Sequence, residues 1–564
     1  MFIKLTRSGD RTYAQLTEAY RDQQGKPRQR IITTLGRVDE AGGQVEAILA
    51  KLLLARGRNP SEARAPQVRF ESALALGDVW ALDQLWRELG FDSLAGVFRR
   101  ARFKTPVEHA LRVMVFNRLC DPESKLGVLR WLETVSLPGI SAGTLTHQQL
   151  LRSMDALMDH QQSVDEHIAG LLRPLIDDEL SIVFYDLTTI RAEGQSEQAG
   201  EIRRFGLSKE GGIGRQFLLG VVQTAEGLPI YHEVFAGNTA EAPTLEPTLA
   251  RVLKRYPHIR RLVVVADRGL LSIDNLEQLK ALALQDERSL EFILAVPGRR
   301  YGEFDETLED LQEQSQAATE EIVAERTWQG HRLIVAHAPE RAREHTAERR
   351  QRIAALEARA AQLAGKLDAQ DAGVRARGRR LSDSGAKARF FHEVCEASLA
   401  RIVKVDLASD LFHYDIDERA LARAERMDGK LLLVTNVPDL SPNEIVAHYK
   451  ALADIERGFR VLKSEIEIAP VYHRLPERIR AHASLCFIAL ILYRAMRLRL
   501  KQAGSDLSPE AALARLRRIQ RHTITIDGGS PVSGISTIDH AQASVLAALN
   551  VRKPTTRNEQ LTLL

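Results

Sequence analysis

The clearest periodicity in the chain runs through Ile445, Leu452, Ile455, Phe459, Leu462 and Ile466, which share one stripe of an α-helix. Its start is also written in the sequence: Ser441 can cap, Pro442 sits in the first turn and Glu444 completes a capping box. One helix from Pro442 through Lys463 is predicted. Tyr449, Glu456 and Lys463, spaced seven residues apart, then cluster within about 40° of one another on the border of the apolar stripe. Upstream, short apolar runs bounded by polar turns predict strands at 180–189, 216–224, 228–236, 261–267 and 290–296. Helices at 244–256 and 272–283 separate them, so this part of the chain has an α/β pattern.

Elsewhere the period changes. Residues 1–37 predict a β-hairpin, 42–57 a short helix and 59–65 a linker. From about Glu71 to Asp178 the pattern is helical, with a start at Thr105, Pro106 and Glu108 and a break at Asp121–Pro122. One helix follows over 123–134, and a third and fourth lie within 146–175. Residues 320–338 predict a hairpin with Trp328 near its tip, and Ile353, Leu356, Ala360, Leu363 and Leu367 repeat at helical 3-4-3-4 spacing. Ser508 and Pro509 cap a last helix carrying Arg515, Arg517, Arg518 and Arg521. The expected organisation is therefore 1–60, 71–178, 180–298, an inserted piece at 299–427, 428–500, and 501–564.

Composition narrows the function classes. A chain of 564 residues exceeds one ordinary domain. Cys120, Cys395 and Cys486 are far apart and form no C-x-x-C pair, which argues against a zinc ribbon or disulfide framework and for a reducing cytoplasm. No run reaches the ~18 consecutive apolar residues of a membrane span, and residues 1–13 lack a signal-peptide core. Net charge is only +3, but residues 1–37 hold eight bases against three acids, and 474–501 hold seven against Glu477 alone. Arg375, Arg377, Arg379 and Arg380 crowd one polar loop. Such fields attract phosphate backbones, although any one cluster is also what a solvated face looks like.

Candidate chemistry rests on three acids. Asp186 ends the apolar run in SIVFYDLTT, Asp267 ends RRLVVVADRG, and Glu456 rides the C-terminal helix. Taken singly, an aspartate after a strand is a turn former or cap, and a glutamate on an amphipathic helix is a surface residue. Brought together, three carboxylates repel unless a cation neutralises them, and Mg²⁺ prefers such oxygen ligands. Paired ions of that kind suit in-line displacement at a phosphodiester. The glycines of KEGGIGRQ lack the spacing of a phosphate-binding loop.

These residues resemble the insertion-sequence DDE transposases of the cut-and-paste branch, whose signature is Y-x2-R-x3-E-x6-K. Tyr449, Glu456 and Lys463 match it, while Leu452 stands at the arginine position, with Arg457 and Arg460 nearby on the helix as substitutes. FYDLTTI around Asp186, GLPIYHEVFAGNTAE, VVVADRGL around Asp267, DGKLLLVTN and PVYHRLPERIRAH extend the likeness. The resemblance implies an RNase H-like mixed sheet interrupted by an inserted β/helical domain and preceded by a helical DNA-binding region. It implies Asp186, Asp267 and Glu456 as catalytic ligands of two Mg²⁺ ions, for which Mn²⁺ can substitute. It also implies DNA contacts from Tyr449, Lys463, Arg460, Arg457 and, in the inserted piece, Trp328, for which a core position is the plainer reading. The partners implied are double-stranded DNA and a second copy of the chain in the synaptic complex. A catalytically silent DNA-binding descendant and a nuclease on the same scaffold are the alternatives.

Overall fold

The computed structural model describes residues 2–9, 11–22, 24–37, 54, 67–101, 103, 106–176, 181–194, 197–207, 211–266, 289–311, 319–373, 380–526 and 528–555. The segments expected to form a short helix at 42–57, a linker at 59–65 and a helix at 272–283 lie outside them or nearly so, as do Asp267, Arg375, Arg377 and Arg379. Chain contacts separate two units. One comprises 1–75, 519–537 and 554–564, and the other 76–518 and 538–553.

In the first unit, β1 (Phe2–Ser8), β2 (Arg11–Arg21) and β3 (Pro27–Arg37) form an antiparallel meander. The expected hairpin is β2–β3, and β1 adds a strand that the turn chemistry alone did not signal. The carboxylate of Asp22 accepts the Gln24 and Lys26 N–H groups, each at 3.0 Å, and so shapes the β2–β3 turn. A further strand, β4 (Val68–Ala75), occupies residues expected to begin the helical region.

The second unit opens with α1 (Gly77–Glu88), α2 (Leu94–Arg100), α3 (Val107–Cys120), α4 (Lys125–Leu132), α5 (His147–Asp159) and α6 (Gln161–Leu172). Thr146 and Gln149 form a capping box at α5, and Ser124 caps α4. Helix α3 starts directly after Pro106, where a start was expected, and Thr105 lies outside the described residues. Glu108 is not a capping acid but a buried one, accepting the Trp86 indole N–H at 2.9 Å and facing Arg112 at 3.3 Å.

The central sheet follows, built from β5 (Ser181–Arg191), β6 (Arg204–Leu207), β7 (Ile213–Thr224) and β8 (Pro229–Ala236). After α7 (Leu245–Arg255) come β9 (Arg261–Ala266) and β10 (Ser289–Ala295). Within it the spatial order is β8-β7-β5-β9-β10, with β5, β9 and β10 mutually parallel and β7 antiparallel to both β5 and β8. This is the RNase H-like mixed sheet that the resemblance implies. Strand alternation gives it two faces. Val183, Tyr185 and Leu187 enter the core beneath α7, where Leu245, Leu249 and Val252 are also buried.

The hairpin at 320–338 is present as β11 (Ile322–Trp328) and β12 (His331–His337), and it extends this same sheet. A separate core follows. The long α8 (Pro339–Asp371) lays Ile353, Leu356, Ala360, Leu363 and Leu367 against Phe390 and Val394 of α9 (Asp383–Glu396), beside β13 (Val403–Val405), β14 (Tyr414–Ile416) and α10 (Glu418–Met427). The chain then re-enters the sheet as β15 (Lys430–Thr435), between β12 and β10.

The predicted single helix after Ser441 is two: α11 (Pro442–Ala451) and α12 (Ala453–Ser464). Its capping box is formed as expected, with Ser441 and Glu444 bonded reciprocally. The break falls at Leu452, whose carbonyl takes the Ile455 N–H at 2.9 Å while Glu456 N stands 3.5 Å away, a local tightening toward 3₁₀ geometry. Behind these helices runs α13 (Pro476–Gln502). By length and composition it could cross a membrane, but 89% of its most apolar window is buried inside the protein, and α3 and α5 pack on it.

The last elements are α14 (Pro509–Leu516), β16 (Gln520–Ile526), β17 (Val532–Ile535) and α15 (His540–Ala548). Ser508 caps α14 as expected, but the helix ends before Arg517, and Arg521 lies on β16. In the first unit β16 pairs with both β17 and β4, which explains why the alternating VRFESALA segment is a strand.

Phe390 is fully buried at the centre of the α8–α9 core. Phe390→Ala should cost that core about 3–5 kcal/mol, seen as a lowered urea midpoint; an unchanged midpoint would contradict this packing.

Candidate active site

Asp186 lies on β5 opposite Val221 of β7, and the strand's alternation turns it away from the Tyr185 side. Tyr185 is anchored in the core by donating to Thr244 Oγ1 at 2.8 Å, which fixes the register that presents Asp186. The Asp186 carboxylate is half-buried and accepts the Leu187 N–H at 2.7 Å.

Across from it stands α12. Ile455, Phe459 and Leu462 are buried on its inner side, at 1%, 6% and 1% exposure. Each side chain contributes about 1.5–3 kcal/mol by leaving water, so the helix is held by its apolar face and Glu456 is left exposed at the border. Asp186, Thr188, Glu456, Phe459, Arg460 and Lys463 line one open cleft of about 440 Å³. The two acids predicted to converge, and which the structure describes, share this cleft.

Gly458 is a supporting residue that sequence reasoning missed. A Cβ there would come within 2.8 Å of the Arg494 guanidinium and 3.1 Å of the Gln223 amide, both buried beneath α12. A glycine costs a helix about 1 kcal/mol relative to alanine, and this close approach is its compensation. The mid-helix glycine in DIERGFRVL was the available signal.

The other predicted residues divide. Lys463 and Arg460 line the cleft with both acids. Tyr449, before the break at Leu452, meets Glu456 in a neighbouring hollow that also contains Glu321 and Lys450. There Lys450 pairs with Glu321 at 2.6 Å, pinning α11 to the start of β11. Arg457 is exposed and does not line the cleft. Leu452 is 8% exposed. Trp328 packs its half-buried ring 5.3 Å from Phe304, with the Arg300 guanidinium 5.6 Å above it. Asp267 follows Ala266, the last residue of β9, whose backbone is paired with Tyr185.

Two family models match the chain: the IS1634 family transposase N-terminal domain over residues 3–64, and the transposase DDE domain over residues 177–492. The second spans more than half of the sequence. The chain belongs to the DDE transposases. No curated protein matches it by sequence. Among solved structures it is similar to the piggyBac transposase synaptic complex with hairpin DNA, at 10% identity over 78% of each chain and a TM-score of 0.35, too loose a likeness to bear on the site.

The transposase is thus a DNA-binding enzyme of a divalent-metal-dependent family. Its donor set fits such a cation. Asp186 and Glu456 bring hard carboxylate oxygens to one water-accessible cleft, the ligand type that Mg²⁺ and Mn²⁺ take. Among the described residues no group of three potential ligands assembles, and the third expected ligand, Asp267, lies outside them.

Gly458→Val should push α12 off Arg494 and Gln223. The expected result is a stability loss of about 1–3 kcal/mol and a larger proportional loss of DNA cleavage, because Glu456 moves with the helix. Thermal melting and a nicking assay check this; unchanged cleavage would show that the close approach is not needed.

Proposed function

We propose that Asp186, Asp267 and Glu456 form one phosphoryl-transfer site, with which the transposase cuts phosphodiester bonds at transposon ends and joins the freed 3′-hydroxyl to target DNA. The observation that carries this is the shared cleft of Asp186 and Glu456, residues remote in sequence and delivered by different elements. Asp267 is the third member because the parallel strand beside β5 ends one residue before it. Two Mg²⁺ ions, replaceable by Mn²⁺, are the proposed cofactors; when bound they neutralise the carboxylates and stabilise the attacking and leaving oxygens.

The chain's own residues supply the rest. Lys463 and Arg460 border the acids and offer positive charge to the phosphates flanking the cut. Arg460 is the better substitute for the signature arginine, since Leu452 is buried and Arg457 does not line the cleft. Tyr449 is the proposed contact that positions the DNA end, supported by the hollow it shares with Glu456. Trp328 is assigned to packing, because Phe304 and Arg300 already engage its ring. The proposed substrates are double-stranded terminal inverted repeats and target DNA, bound by a homodimer in the synaptic complex within the cytoplasm, with residues 501–564 as the dimerising region.

Purified protein given Mg²⁺ and a duplex carrying the DNA that flanks its gene should nick the element's ends and form joined product. Asp186→Asn and Glu456→Gln should each lower cleavage by more than about 100-fold, beyond the effect typical of outer-shell changes, with melting temperatures held. Cleavage that survives these substitutions would sink the assignment, and cutting without any joined product would mark a nuclease. Chelation by EDTA should abolish both steps, with activity returning on added Mg²⁺ or Mn²⁺; activity in EDTA would contradict the cation requirement.

A further inference from the structure

Away from the cleft, the transposase buries positive charge that, among the described residues, forms no ion pair. Lys125, the first residue of α4, is 8% exposed, and among the described residues it makes no hydrogen bond or ion pair. Arg118, 5% exposed, donates among the described residues only to backbone carbonyls, those of Glu123, Ile466 and Glu467. His473 and His482 stand beside them with ring centroids 5.8 Å apart. These four residues line one cavity of about 590 Å³, walled by the segment that links α12 to α13. Its carboxylates, Glu123 and Glu467, are exposed on the rim and pair with neither cation.

An unpaired buried cation is costly to a fold and calls for an explanation. Burial, reinforced by the Arg118 charge, pulls the Lys125 ammonium down to about 7, and burial with the nearby Lys125 charge pulls His473 down to about 4. An anion seated among them would reverse both effects. Among the described residues, Glu123 and Glu467 act on Arg118 only from the rim, and no carboxylate forms an ion pair with either cation.

Position indicates its source. Lys463 lines the catalytic cleft and also a second hollow containing Arg191 and Arg215. Ala469 lines that hollow and also the Lys125 cavity. Shared lining residues thus link three depressions, from the one with the carboxylates to the one with the buried lysine.

We infer that the Lys125 cavity seats a backbone phosphate of the DNA strand that extends from the catalytic cleft, with Lys125 and Arg118 as its cationic floor. The inference rests on the proposed DNA-cleaving role of the cleft. A phosphate contact of this kind fixes register without reading bases, and it makes the lysine's charge a binding device rather than a structural one.

The test uses full-length protein carrying Glu456→Gln, so that DNA is bound but not consumed, with and without Lys125→Met. The probes are the gene-flanking duplex and, separately, inorganic phosphate. Removing an unpaired buried charge while keeping an apolar stem should leave the melting temperature equal or higher. Duplex affinity should fall about tenfold, and the log–log salt dependence should become shallower by about one. Lys125→Arg, which keeps the charge, should retain most of the affinity.

Affinity and salt slope unchanged in Lys125→Met would overturn the inference. So would a lowered melting temperature with affinity lost equally in Lys125→Arg, the signature of a structural lysine. Stabilisation by inorganic phosphate that needs Lys125, with duplex affinity indifferent to it, would assign the cavity to a free anion and refute the DNA contact. Wild-type protein that cleaves DNA while Lys125→Met binds normally defeats this inference alone; wild-type protein that neither binds nor cleaves the duplex defeats the proposed function and this inference together.

Discussion

The packing of α12 onto the Asp186 face of β5 is the contact on which the candidate site depends. Neither acid is positioned by the other, since like charges repel. Asp186 is placed by the register of β5 between β7 and β9, itself fixed on the opposite face by buried Val183, Tyr185 and Leu187. Glu456 is placed by buried Ile455, Phe459 and Leu462, and by the absence of a side chain at Gly458. Apolar burial thus delivers two carboxylates to one cleft, and the proposed divalent cation would neutralise them there.

The same division of labour extends outward. The sheet continues past β10 through β15 to the β11–β12 hairpin, while α8, α9 and α10 bury a separate core. Gly429, at φ +67°, turns the chain from α10 into β15; a Cβ there would come within 2.5 Å of the Ala338 carbonyl, so the return into the sheet is sterically specified. The long piece between β12 and β15 can therefore be large without disturbing β5, the strand that carries Asp186.

Much of this was legible in the residues. The capping box at Ser441 and Glu444 needed only local chemistry, and the stripe from Ile445 to Ile466 is buried throughout. Strands β5, β7, β8, β9 and β10 read correctly because their apolar runs are short and bounded by turns, whereas the short β6 carries no such run. The break at Leu452 did not show, because the apolar stripe crosses it without interruption and periodicity cannot register one tightened hydrogen bond. Glu108 read as a capping acid because its long-range partner, Trp86, is invisible to a local pattern. Membership of β11 and β12 in the central sheet, and of β4 with β16, likewise depends on pairing across long stretches of sequence. The buried charges of Lys125 and Arg118 were hidden for the same reason: in sequence they are ordinary surface-type residues.

The most direct measurement is anomalous diffraction from crystals of the transposase grown with Mn²⁺. A peak is expected within coordination distance of the Asp186 and Glu456 carboxylates, with Asp267 completing the ligand set. A peak elsewhere, or well-ordered Asp186 and Glu456 side chains with no ion between them at saturating Mn²⁺, would contradict it.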